Sequence, residues 1–186
     1  MTAPPAASGA GLRIDTGDPG PVRRALPYAA PAVLVFLGSL LLDLRTLMPG
    51  LGFWDTGEFQ TIGSTLGIAH PTGYPSYTLL LWLTSVLLAP VGEPALRANL
   101  TSALLVSGAA ALTTVAVVQV TRRPVIGLAA GALLAVAPIA WENAVRADPH
   151  AFHLFLGALL LVLLLAWASR ERAGRRGAGH WLVGAA

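Results

Sequence analysis

"YPSYTLLLWLTSVLL" (Tyr74–Leu88) is an uncharged stretch of about 15 residues, and the fold turns on whether it crosses a membrane. A spanning helix needs about 20 apolar residues, so the stretch is short for the task. If it crosses, Arg122, Arg123 and the cluster "RERAGRR" (Arg170–Arg176) all fall outside the cell. That inverts twice the tendency of cytoplasmic loops to carry arginine. If it stays on the outer side, as a juxtamembrane or re-entrant helix, Arg23, Arg24, Arg122, Arg123 and Arg170–Arg176 are all cytoplasmic. The second arrangement is the consistent one. It predicts an all-α, polytopic membrane fold with four spans at 27–44, 97–120, 124–142 and 150–169. The first external loop is then 45–96 and the second 142–150.

The membrane reading rests on composition. The 186 residues are 55% hydrophobic and only 11% charged, with a mean hydropathy of +0.67. A soluble domain carries about 25% charged residues. With no cysteine, disulfides, thiolate zinc sites and thiol nucleophiles are excluded. The arginines come in small clusters between apolar runs, not in a tract interleaved with aromatics, so nucleic acid is not an expected partner.

Residues 1–26, rich in Pro, Ala and Gly, read as a disordered cytoplasmic tail. The run Ala25–Leu42 follows, with Pro27 and Pro31 expected in its first turns, where proline is tolerated. No small-residue cleavage site follows Leu42, so a retained helix is expected rather than a signal peptide. Residues 170–186 read as a cytoplasmic basic loop and, in "HWLVGAA", the opening of another apolar helix. The chain is therefore expected to be the N-terminal piece of a longer protein.

This topology brings two polar segments to one face. "FWDTGEFQTIGSTLGIAHPTGYPSY" (Phe53–Tyr77) holds Asp55, Glu58, His70 and Tyr74; "WENAVRADPHAFH" (Trp141–His153) holds Glu142, Arg146, Asp148, His150 and His153. Arg97 stands at the same end of the second span. Ionisable groups near membrane depth are costly and mark function when they face a cavity. Each also has a structural reading. Asp55 and Glu58, three apart, share a helix face and could ligate a divalent cation or divide into base and partner; "DTGE" is equally a capping-box pattern. His70 could meet a phosphate, a metal or an interfacial polar group, and the tyrosines and Trp54, Trp82, Trp141 and Trp167 could form an aromatic belt. Asp148-Pro149 is a helix start as much as a site. Arg97 could hold a phosphate or merely snorkel.

Together, "WDTGEF", "LGIAHPTGYPSYTLLLWL", "LRANLTSAL" and "AVRADPHAFHLFL" resemble the protein O-mannosyltransferase-like membrane proteins of the GT-C glycosyltransferase superfamily, over about residues 40–168. The resemblance implies transfer of a sugar, mannose by analogy, from a polyprenyl-phosphate donor to a hydroxyl of a protein or glycan acceptor, with inversion, on the external face. It implies Asp55 as the catalytic acid of the first loop and Glu58 as its partner. Arg97 would match an arginine opening the second span, and Asp148 the acid of the second loop. His70, Tyr74, Arg146 and His150 join Arg97 and Asp148 as candidate substrate contacts. If a divalent cation takes part, Asp55, Glu58 and Asp148 are the expected ligands. The chain departs from the family at Asp148-Pro149-His150, where many members have Glu-Val-Tyr or Glu-Val-Phe. Two other readings of the same polar residues are an ion or lipid transporter and a non-catalytic assembly subunit. A transporter should carry its acids near mid-span, whereas here they lie at span ends.

Overall fold

The computed structural model describes residues 21–172, with side chains from Tyr28 onward. The expected tail over 1–20 and the segment 173–186 lie outside the described residues. Seven helices run α1 Pro21–Thr46, α2 Trp54–Thr65, α3 Pro75–Leu87, α4 Pro94–Thr121, α5 Pro124–Ala135, α6 Pro138–Ala144 and α7 Pro149–Arg172. Each helix from α3 to α7 opens on proline, which has no N–H to orphan in the first turn and a φ already suited to the helix.

α4 is the central post, against which α1, α2, α3, α5, α6 and α7 all pack. Its buried face is made of small residues, among them Ala98, Ser102, Ala103, Ser107, Ala109, Ala110 and Thr114. Small side chains let helices approach where lipid gives no hydrophobic drive for association. The closest approach is to α5. A Cβ on Gly131 would sit 2.0 Å from Thr114 Oγ1 and 2.7 Å from the Ala110 carbonyl, and one on Gly127 would sit 2.3 Å from Val118 Cγ2. In the α1–α4 seam, Asp43 is fully buried, and its Oδ2 accepts from Ser107 at 3.0 Å and Ser39 at 3.3 Å.

The two ends of the bundle are fixed by contacts between chain-distant residues. At one end Arg122 Nη1 donates to the Tyr28 hydroxyl at 3.1 Å, joining the start of α1 to the end of α4. At the other, Asn99 Nδ2 donates to the Met48 carbonyl, Met48 N–H to the Val145 carbonyl, and Trp141 Nε1 to Thr46 Oγ1. α1 and α4 are therefore antiparallel, and α2 and α3 lie at the end where α1 finishes and α4 begins. The 13-residue α3 would be about 20 Å long, short of a bilayer core of ~30 Å.

Three helices are long and apolar enough to cross a membrane: 28–46, Pro94–Thr121 and Pro149–Arg172. Three expectations change. The third span is not one helix over 124–142: α5 and α6 meet at a 65° bend. Pro138 cannot donate to the preceding turn and drives Ala137 into extended backbone (φ −64°, ψ 130°), which ends α5. The helix resumes as far as Ala144, so Glu142 stands on α6 rather than in a loop. Residues 21–26, assigned to the tail, belong to α1, which places Pro31 inside the helix instead of in its first turn.

Candidate active site

The first-loop acids sit on α2, whose chemistry follows from its unusual start. Phe53 is the capping residue and makes no side-chain cap bond, and Trp54 has a left-handed φ of +57°. Such backbone is rare outside glycine and tends to gather at functional sites. Asp55 therefore lies inside the first turn, and the capping-box reading of "DTGE" does not hold. Gly57 explains the tight geometry here: a Cβ would meet the Gly52 carbonyl at 2.5 Å.

Glu58 is engaged elsewhere. Its Oε1 accepts the His70 backbone N–H at 2.7 Å, and its Oε2 lies 2.5 Å from His70 Nδ1. One carboxylate thus clamps both the backbone and the ring of the "AHPTGYP" turn onto α2. The His70 ring is further packed against Phe59 and Tyr74, with centroids 5.9 and 5.4 Å away. The hydrogen bond from His70 holds the Glu58 carboxyl below the usual carboxylate range. The same bond, aided by the negative charges of Glu58 and Asp55, raises His70 above its ordinary value despite some loss of hydration.

The two shifts act over opposite sides of the pH scale. The stability contributed by a depressed Glu58 is present above about pH 4.5 and is lost as pH falls through its folded value. That contributed by a raised His70 is complete below about pH 6.5 and is lost as pH rises through its folded value. The clamp is thus expected to be strongest between these limits. In a ¹³C-histidine NMR titration, His70 should titrate above 6.5 in the wild type and fall back toward 6.5 in Glu58→Gln. A wild-type midpoint at or below 6.5 would contradict the clamp.

Asp55 is exposed, and its carboxylate makes no hydrogen bond among the described residues. One ligand atom each from Asp55, Glu58 and His70 lie within 4.8 Å of one another. His70, not Asp148, is therefore the third member of the one group among the described residues that could hold a metal ion. Around it the surface is apolar: Phe53 and Trp54 flank Asp55 with 86% and 93% of their surface exposed, and Leu51 and Ile68 are similarly open.

The second-loop residues form a separate network at the same end of the bundle. Asp148 Oδ1 accepts the His150 N–H at 2.9 Å, so the helix-cap reading is correct for α7; it also lies 2.7 Å from His150 Nδ1. Arg146 bridges Glu142 at 3.0 Å and Asp148 at 3.6 Å. Among the described residues, no direct bond links this network to Asp55, Glu58 or His70. The connection is through packing: the Asp148 N–H donates to Ser102 Oγ, which meets the Tyr77 hydroxyl at 3.3 Å, and Tyr77 packs on Phe59. Tyr77 is only 2% exposed, so it is core rather than belt. Between the networks lies an open cleft of about 320 Å³, lined by Thr72, Tyr74, Phe152 and His153 among others.

Arg97 is engaged by backbone in this structure, with four of its five N–H groups donating to carbonyls. Its guanidinium donates to the carbonyls of Ser85, Ala89, Val91 and Gly92, closing the turn after α3. The organising residues that the sequence did not single out are Asn99 and Gln60. Asn99 Oδ1 accepts from Gln60 Nε2 at 2.9 Å and from the Ala147 N–H at 2.8 Å, while Asn99 Nδ2 donates to Met48. Gln60 adds bonds to Gly52 and Gly50. The pair, both nearly without exposure, fastens the loop before α2, α2 itself, α4 and the loop before α7 at one point. A carboxamide in an otherwise apolar helix was the signal available for Asn99.

A polytopic helical membrane protein with an acid–histidine centre and an apolar collar at one end of the bundle is the class that fold and site define. A family model described as the N-terminal domain of protein O-mannosyl-transferase TMEM260 matches residues 55–186, and the chain belongs to that family. Mouse protein O-mannosyl-transferase TMEM260 is 32% identical over 172 residues, covering 88% of this chain and 24% of the mouse protein. The Dictyostelium discoideum protein of the same name is 23% identical over 141 residues, covering 75% of this chain and 17% of that protein. The chain thus spans a quarter or less of the length of these relatives. No solved structure matches it.

Proposed function

We propose that the chain forms the catalytic N-terminal part of a membrane O-mannosyltransferase. It would use a polyprenyl-phosphate-linked mannose and act at the non-cytoplasmic face. The observation that carries this reading is the unpaired Asp55 carboxylate beside the Glu58–His70 clamp. An acceptor hydroxyl, on a protein or a glycan, loses its proton as its oxygen attacks the anomeric carbon. Asp55 takes that proton as general base. Glu58 is already committed to His70, so it acts as a positioning residue. His70 stands within 4.8 Å of Asp55 with its ring fixed by Glu58, on the side of the anomeric carbon where the hydroxyl attacks, and the donor phosphate departs from the opposite side. The apolar collar of Phe53, Trp54, Leu51 and Ile68 favours a donor that arrives through the lipid. The orientation rests on the arginines of the opposite end, which belong on the cytoplasmic side.

A divalent cation fits this centre poorly. Both Glu58 oxygens already accept His70 donors, so a cation would have to share or displace the clamp. The reading therefore assigns proton transfer to Asp55 without a metal. The test is transfer by the full-length protein in nanodiscs, in the presence of a chelator, from polyprenyl-phosphate mannose or from a nucleotide-linked mannose. Transfer from the lipid-linked donor alone is expected. Transfer from the nucleotide-linked donor alone would overturn the lipid donor, and loss of activity on chelation would overturn the metal-free base.

A further inference from the structure

At the end of the bundle opposite Asp55, α1, α4 and α7 enclose a cavity of about 840 Å³. Its rim is cationic and hydroxylic: Arg122, Arg170 and Arg172, with Tyr28 and Ser169. Its floor is apolar, formed by Val115, Leu165 and Ala166. Arg122 is held in place at the rim, because it follows the last turn of α4 in a left-handed conformation (φ +60°) and donates to Tyr28. Gln119 also lines the cavity, and its Oε1 is buried with no hydrogen-bond partner among the described residues. A buried acceptor without a donor is costly and marks a place where a ligand can supply one.

We propose that this cavity binds an anionic phospholipid. The inference goes beyond the transferase reading and involves none of its residues. Charge complementarity selects the occupant: the arginines meet a phosphodiester, and Arg does so with a planar fork of donors. The apolar floor receives the upper acyl chain. A soluble anion would use the rim and leave the floor unfilled. Basic pockets between spans on the cytoplasmic side are a recurring form of lipid recognition.

The test uses native mass spectrometry of the full-length protein in detergent, titrated with phosphatidylglycerol, phosphatidylcholine or inorganic phosphate. Phosphatidylglycerol should be retained over phosphatidylcholine, and a large excess of inorganic phosphate should compete weakly. Arg122→Gln and Arg172→Gln should each weaken phosphatidylglycerol retention about five-fold, the scale for one arginine near an anionic headgroup. Ala166→Trp keeps every arginine but fills the floor, and should abolish the preference. Thermal stability, measured alongside, shows that each variant is folded; any unfolded variant is replaced by Ser169→Trp, which should act as Ala166→Trp does. Equal retention of the two lipids, or strong competition by phosphate, would overturn the proposal. So would unchanged phosphatidylglycerol retention in the folded variants, which is the outcome if another segment of the chain fills the cavity.

Discussion

Asp55→Asn in the full-length protein is expected to lower mannosyl transfer by about two to four orders of magnitude, the usual scale for removal of a general base. Expression, thermal stability and donor binding should stay close to wild type. The structure sharpens this comparison. Asp55 makes no capping bond and no hydrogen bond to any described residue, so the amide removes no contact the fold needs. What changes is the capacity to accept a proton and the negative charge beside His70. The charge contributes to the raised His70 value, so the His70 titration should also move slightly downward in the variant. The check is single-turnover transfer with bound donor. Near-normal turnover by a stable Asp55→Asn protein would remove Asp55 from the chemistry.

The second large effect is on folding. Asn99→Leu is close to isosteric but strands the Met48 carbonyl, the Gln60 amide and the Ala147 N–H in a buried place. Each unsatisfied group costs about 1–3 kcal/mol, and the total is a large fraction of the ~5–15 kcal/mol that holds a domain together. The variant should lose thermal stability sharply and lose transfer with it. Asn99→Asp keeps both acceptor bonds and, protonated, can still donate to Met48; once ionised it sets a buried charge against that carbonyl, so its loss of stability should grow as pH rises. The measurement is melting temperature in detergent for the two variants. Equal, small losses would show that the Gln60–Asn99 junction is not what holds the active end together.

The all-helical fold and the two-ended charge distribution were legible because they depend on local signals. Uncharged runs, arginines at one end and prolines at helix starts are all read along the chain. Pro138 carried the same kind of signal as Pro75 or Pro94, but it sat inside an unbroken apolar run, and hydropathy alone concealed the bend. Asp55 and Glu58 were legible as a pair on one helix face; His70 as the third member of their cluster was not. A helical repeat places Asp55 and Glu58 on one face, but it says nothing of a turn 12 residues on folding back to occupy Glu58. The backbone engagement of Arg97 was hidden for a similar reason. The carbonyls that engage it come from the end of α3, and their position depends on how α3 meets α4.

The central claim is direct displacement at a sugar carbon, with Asp55 as base and a lipid phosphate leaving. Its most direct test is the anomeric configuration of the product. The full-length protein is given polyprenyl-phosphate mannose of known configuration and a hydroxyl acceptor, and the new glycosidic bond is read by NMR. One displacement with a single base predicts inversion. Retention of configuration would contradict the account, because it requires a covalent intermediate or a second displacement that a lone, proton-accepting Asp55 does not provide.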